Sequence, residues 1–491
     1  MRTTHGWQTR RPPSGFVLVA VLVFILLLSM IATSLLFQFK AEDTAAAASG
    51  GTEQAWATAL SGIDEAIRVA SLAVPGTLEW QDNPRAFQDH LVYEDGADRW
   101  YFSVFSEAGD GALAELRYGL SDEASRLNVN TTPALDLARL PQMTIALAQA
   151  IDDFVDSDDL QLPDGAEREY YETLPRPYAA ANRPMESLDQ LLLVRGFTSG
   201  LLYGEDWNIN GHLDPNENDG DQNLPPDNRD SRLQWGLREN LTVTSYDPNT
   251  DASGQPRVNL NKFFVDLSFM TNLPAGLSNY LAVMRTTSNH IEYASDLLEA
   301  IVTTGEGTAA ATNTASGVGK AELPLVLERF TGDSRASIQG LVNINTASAA
   351  ILACLPELDI SIAESIVSTR RALAPEKRAS VAWLYQEGVL DASKFKQVAP
   401  RLTARSFQFR FQVLGYGLPS GRFRRLEVII DTAGSTPRVR YLRDLTRLGL
   451  PFKLDSERFE GPRSGAEHRR RAPQPSIRSQ ISTHPRTSTH G

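Results

Sequence analysis

A twelve-residue stretch places oxygen donors at the spacing that wraps a cation. Asp206-Trp-Asn208-Ile-Asn210-Gly211-His212-Leu213-Asp214-Pro-Asn-Glu217 offers side-chain oxygens at loop positions 1, 3, 5, 9 and 12, with Gly at 6, a backbone carbonyl at 7 and an apolar residue at 8. Short Asx side chains reach inward at alternate positions, Gly supplies the sharp turn, and a closing Glu can give both oxygens, which together make an EF-hand-type calcium loop. The expected ligands are Asp206, Asn208, Asn210, His212 through its carbonyl, Asp214 and Glu217. A solvated acidic loop is the alternative. Lacking flanking helices of ordinary EF-hand length, the loop reads as a structural calcium clip and not a sensor.

Other chemistry is sparse. The seven His residues form no H-E-x-x-H pair, and no G-x-S-x-G elbow or Walker loop occurs, so the chain does not read as an enzyme. The single cysteine, Cys354, excludes an intrachain disulfide and a Cys-based zinc site. A formal charge of −13 argues against a general nucleic-acid binder. The acidity is concentrated, since residues 151–230 hold 19 Asp and Glu against 5 Arg and no Lys.

The elements that must carry this loop begin with an apolar helix. Phe16 to Phe37 is 22 residues without a charge, enough to cross a bilayer core of about 30 Å. Arg2, Arg10 and Arg11 precede it, which leaves the N-terminus cytoplasmic and sends everything after Lys40 across the membrane. A secretory signal is the alternative. Against it, the run exceeds a usual h-region, and a helical pattern continues through Trp56, Leu60, Ile63, Ile67 and Ala70.

After the helix, Arg99 to Leu120 predicts two strands joined at Gly109-Asp110-Gly111, and Phe407–Leu414, Phe423–Asp431 and Val439–Leu442 predict more. Between these groups lies a repeat. Asn128-Val-Asn-Thr131-Thr-Pro-Ala-Leu-Asp-Leu-Ala-Arg-Leu-Pro141 recurs as Asn343-Ile-Asn-Thr346-Ala-Ser-Ala-Ala-Ile-Leu-Ala-Cys-Leu-Pro356, identical at eight of fourteen positions. Thr131 and Thr346 are the expected N-caps, and Leu-x-x-Leu-Pro ends each short helix where Pro forbids continuation. Second helices are expected over Ile145–Val155 and Ile362–Leu373, making two helix-hairpin-helix units. Such units often bind DNA through a Gly-rich hairpin, but Pro141-Gln-Met-Thr and Pro356-Glu-Leu-Asp contain no Gly, and Glu357 and Asp359 would face a phosphate. A weaker echo, Val258-Asn-Leu-Asn261, stands between the copies.

Pro13-Ser14-Gly15 followed by Phe16-Val-Leu-Val-Ala20 resembles a type IV prepilin cleavage site, which implies cutting by prepilin peptidase after Gly15 and methylation of Phe16. Most such proteins carry Glu where this chain has Ala20, and the K-type minor pseudopilin of type II secretion is the member that usually lacks it. Asp152-Asp-Phe-Val-Asp156-Ser-Asp158-Asp159, Gly165-Ala-Glu167-Arg-Glu-Tyr170-Tyr171 and Asn182-Arg-Pro-Met-Glu-Ser187-Leu-Asp-Gln190-Leu191 resemble that family's D-x-D-D, G-A-E-x-x-Y-Y and N-x-P-x-x-S-x-x-E-L run, with Gln190 in place of Glu. The chain is thus identified with the type II secretion minor pseudopilin K (general secretion pathway protein K) family.

The resemblance implies a single-pass inner-membrane protein with its C-terminal domain in the periplasm, acting at the pseudopilus tip in protein export. Its implied partners are two other minor pseudopilins, prepilin peptidase and inner-membrane lipid, with no nucleic acid. It further implies a second calcium site around Asp156, Asp158, Asp159 and Glu167, with solvent-facing carboxylates after a helix as the alternative. A membrane-tethered helix-hairpin-helix DNA-uptake protein is the runner-up, and a secreted calcium-dependent enzyme the third reading. The expected fold is α+β: a long N-terminal transmembrane helix and a pseudopilin-type antiparallel sheet with a large inserted α-helical domain. The expected segments are a leader (1–15), membrane and periplasmic helix (16–75), first sheet part (76–127), α-domain with the calcium loop (128–235), enlarged middle (236–335) with a flexible linker (303–319), second unit (336–405), C-terminal strands (406–455) and disordered basic tail (456–491).

Overall fold

The computed structural model describes residues 14–452 and 454, except 97, 108–115, 221, 263–266, 268–271, 288 and 306–310. The expected turn at 109–111 and the tail from 456 lie outside the described residues. The apolar run opens one continuous helix, α1 (Ser14–Ser71). Its first half is bare: Val17 to Phe39 carries exposed Leu, Val, Ile and Phe side chains all around, and the helix is long and apolar enough to cross a membrane.

Its second half packs on a sheet, and the sequence shows why. Ala55, Ala59, Ile63, Ala66 and Ala70 recur at helical spacing and are all buried. Small residues let the backbones approach closely: a Cβ on Gly415 would meet the Ala55 carbonyl oxygen at 2.4 Å, and one on Gly62 would meet Val413 at 2.6 Å.

Labelling only the strands of this main sheet, β1 is His90–Glu94, β2 Arg99–Glu107, β3 Leu116–Arg117, β4 Ser121–Asp122, β5 Gln408–Leu418, β6 Phe423–Asp431 and β7 Arg438–Asp444. The order is β1-β2-β5-β6-β7, with β3 on β2 and β4 on β5. Every pairing is antiparallel. The helical insertion therefore leaves the sheet at β4 and returns at β5, its neighbour. The α1-facing core of Phe102, Val104, Phe409, Phe411, Val413, Val428 and Ile430 alternates along the strands, as a sheet with one covered face requires.

In the insertion, the first copy of the repeat forms the one-turn helix Ala134–Leu137 and then α2 (Ile145–Val155); the second forms Ala349–Leu352 and α3 (Ile360–Ala372). Gln142 and Glu357 take positive φ in the two hairpins. The expected caps are corrected: the N-cap positions are Pro133 and Ser348, and the Thr346 hydroxyl donates instead to Asp122 at 2.8 Å. Thr144 and Asp359 cap the second helices through their side chains. The linker expected at 303–319 is also corrected, since Ile301–Thr304 and Thr312–Ala315 pair as antiparallel strands.

Candidate metal centre

Loop 206–217 follows the short helix Ser199–Tyr203 and ends in a 3-10 turn, Pro215–Glu217. Its polar side chains turn inward. The Asp206 carboxylate accepts from the backbone N–H of Asn210 (2.9 Å) and of Gly211 (3.0 Å). Asn208 Oδ1 accepts from the Asn210 N–H, and Asn210 Oδ1 from that of His212. Asp214 Oδ2 accepts from both amide groups, Asn208 Nδ2 at 2.7 Å and Asn210 Nδ2 at 2.8 Å, and Glu217 Oε2 accepts from the Asp214 N–H at 3.0 Å. Those two amides stand where a cation would otherwise answer the Asp214 charge.

The sheet grips this loop. Ile209 and Gly211 have φ of 55° and 75°. For a β-branched residue the left-handed region costs about 1–2 kcal/mol. The Ile209 carbonyl accepts from Gln412 Nε2 at 3.0 Å and from Arg425 Nη2, and Arg425 Nη1 reaches the Asn208 carbonyl at 3.2 Å. Arg425 is fully buried, and its burial pulls the guanidinium down to about 10. Burial, with Glu107 beside it, pushes Asp206 up to about 6. Burial and the charges of Asp206, Asp214 and Glu205 push Glu217 up to about 7. Both carboxylates are therefore harder to ionise than in water, a cost that a bound cation would offset.

A second acidic cluster draws its members from the end of α2 and the turn before the next helix. Ligand oxygens of Asp153, Asp156 and Glu167 all lie within 4.8 Å of one another. Of the expected set, Asp156 and Glu167 belong to it and Asp158 and Asp159 do not. Asp158 Oδ1 accepts from the Leu160 N–H within its own turn, and Asp159 Oδ1 accepts from Asn182 Nδ2 at 3.1 Å, tying that turn to the loop at 182. Asp153 was not among the expected residues. It is completely buried and accepts from the Leu162 N–H at 3.2 Å. Gly165 makes room for it, because a Cβ there would meet Asp153 Oδ2 at 2.0 Å.

Glu167 is 4% exposed, and both of its oxygens are buried with no hydrogen-bond partner. Burial, with Asp153 and Asp156 alongside, pushes it up to about 7. An orphaned, buried carboxylate beside two others fits a hard cation, which takes oxygen ligands. Among the described residues, no comparable convergence of three carboxylates joins Asp206, Asp214 and Glu217, whose set relies on amides and a carbonyl as well.

Gln190, where Glu is usual, performs the same local task. Its Oε1 accepts from the Glu186 and Ser187 N–H groups, completing a capping box with Ser187.

A long helix half bare and half packed on an antiparallel sheet, with a helical domain inserted between two adjacent strands, defines a pseudopilin-type subunit. Two family models match the chain, both described as type II secretion system (T2SS), protein K: one over residues 132–203, the other over 342–402. These two segments of the helical insertion are therefore similar to domains of the type II secretion protein K family. A solved structure, the GspK-GspI-GspJ complex from the enterotoxigenic Escherichia coli type 2 secretion system, is similar at 12% identity, covering 81% of this chain and 98% of that one with a TM-score of 0.38. That is a likeness too loose to bear on function. No curated protein matches the chain.

Proposed function

We propose that this protein is the minor pseudopilin at the tip of a type II secretion pseudopilus, anchored in the inner membrane with its sheet and helical domain in the periplasm. The observation that carries the reading is α1: a bare apolar half of bilayer length runs without a break into a half seated on the sheet. A subunit of this shape can be drawn from the membrane and stacked by its helix. Ala20 supports the tip position, because a subunit with no neighbour above it needs no carboxylate there. Its partners are two other minor pseudopilins, which cover the bare helix face on assembly. Prepilin peptidase prepares it by cutting after Gly15, leaving a methylated Phe16.

Calcium belongs to the same proposal. Asp206, Asn208, Asn210, Asp214, Glu217 and the His212 carbonyl hold one ion, and Asp153, Asp156 and Glu167 hold another. The unpaired oxygens of Glu167 are the main support for the second. Neither ion does chemistry; each lets an acidic turn pack in the interior. The test is mass spectrometry of the N-terminus with affinity purification of the full chain from membranes. A methylated Phe16 and co-purifying minor pseudopilins are expected. Cleavage among Ala41 to Ala48 would sink the reading.

A further inference from the structure

The two matched units share a closure that neither helix reveals. In each, a two-residue strand at the start pairs in parallel with one at the end: Leu127–Asn128 with Leu241–Thr242, and Val342–Asn343 with Leu402–Thr403. The same closure occurs a third time, where Val258–Asn259 pairs in parallel with Phe330–Thr331. Each start is Asn-x-Asn. The first Asn side chain accepts from the N–H of the second, at 3.0 Å in Asn130, 2.8 Å in Asn261 and 2.9 Å in Asn345.

The second Asn is a clamp. Its Nδ2 donates to the carbonyl just after the return strand, that of Val243, Gly332 or Ala404, at 3.2, 3.1 and 3.2 Å. It also donates to the carbonyl of Met185, Ile291 or Arg378, at 3.0, 2.8 and 2.9 Å. Six residues beyond those three, Leu191, Leu297 and Leu384 are buried in helical turns. The return strands spell Leu241-Thr-Val-Thr-Ser245, Phe330-Thr-Gly-Asp-Ser334 and Leu402-Thr-Ala-Arg-Ser406. In all three the Thr hydroxyl accepts from the N–H two residues on, at 3.0, 3.0 and 3.1 Å. Chance does not reproduce one set of strand pairs, clamps and turns in one order.

We propose that residues 246–339 hold a third copy of the protein K unit, added as a module to a core that the other two complete without it, and that Asn261 is its positioning residue. Helix Leu277–Thr286 stands where α2 and α3 stand in the other copies. The module enters and leaves by one antiparallel ribbon, Tyr246–Pro248 with Ser337–Gln339. At its base the Gly340 N–H donates to the Ser245 carbonyl at 3.0 Å. The outer copies hold each other directly: Arg139 Nη1 donates to the Leu355 carbonyl at 3.1 Å, and Asp122, at the mouth of the first, accepts from Asn343 and Thr346 of the last. The module meets the last copy partly through polar contacts, Gln386 Nε2 on the Lys320 carbonyl at 2.7 Å and Lys320 over the Tyr385 ring. Repeats closed on themselves tolerate such insertion.

Four variants of the full chain in detergent test this by hydrogen exchange and melting. Asn261→Ala should speed exchange about tenfold within 258–331 and leave 127–242 and 342–403 unchanged, while Asn130→Ala and Asn345→Ala each loosen their own copy. Unaltered exchange in 258–331, or loosening spread evenly over all three, overturns the assignment of a third copy. Replacing 250–335 by Gly-Gly, which keeps the ribbon and the Asp247 contacts to Thr403 and Arg405, should keep a single cooperative melt with protected α2 and α3 amides. Loss of that melt overturns the claim that the core is complete without the module.

Discussion

Asp122 joins the sheet to the helical insertion, and its removal should be among the most damaging single changes in the chain. The carboxylate is buried at the end of β4 and accepts from the Ala124 N–H (3.0 Å), Asn343 Nδ2 (2.8 Å), Thr346 Oγ1 (2.8 Å) and Ser406 Oγ (2.7 Å). A hydrogen bond to a charged acceptor contributes about 1.5–3 kcal/mol, and the cap on Ala124 about 1. Asp122→Ala also recovers the cost of burying the charge, and Asn343 Nδ2 keeps Ser406 Oγ at 2.9 Å, so the net loss is about 3–5 kcal/mol. At about 2–4 °C per kcal/mol that lowers the melting temperature by roughly 6–20 °C. Asp122→Asn keeps an acceptor oxygen and should lose about half as much. It should also remove a pH slope. Burial raises the folded-state carboxyl above its ordinary 3.8, so the folded protein holds the proton longer and stability falls as pH rises from the unfolded value through the folded one. Differential scanning calorimetry on both variants from pH 3.5 to 8 reads all of this. A loss under 0.5 kcal/mol for Asp122→Ala, as at an ordinary surface site, refutes the reasoning.

Calcium should bind the chain with measurable heat in titration calorimetry, and Glu217→Gln should weaken it more than Asn208→Ala does, because it removes a charge and the bidentate closure. At 100 times Kd the ion should add about 2.7 kcal/mol, so chelator should lower the melting temperature; no heat and no shift would remove the metal assignment. Gly165→Ala should displace Asp153 and lose calcium affinity together with about 1–3 kcal/mol of stability, read by the same titration and by melting; a change without effect would place Asp153 outside any site. Ala20→Glu should neither lengthen pili nor raise export in a secretion assay, and a gain in either would remove the physical basis of the tip position.

How much of this was legible in the sequence depended on whether a residue's partner was near in the chain. The helical stripe Ala55 to Ala70 and the alternating strands Phe423–Asp431 are local periodicities, and the sheet and long helix follow from them. Ile145–Val155 has the expected bounds because a cap and the helical period fix both ends. The misses are long-range. Thr346 has the right chemistry for a cap, but a carboxylate more than two hundred residues earlier claims its hydroxyl. Asp153 stands in an acidic run in which spacing singles out no one carboxylate, and only the fold turns it inward under Gly165. The echo Val258-Asn-Leu-Asn261 lacks the helix residues of the other copies, so its match is invisible to a comparison of helices. What the three copies share is the Asn clamp, which works on backbone groups and so constrains few side chains. A unit defined by backbone closure can lose nearly all its sequence and keep its shape, and the spacing of Asn-x-Asn to its Thr-x-x-Ser return marks it better than any hydrophobic pattern.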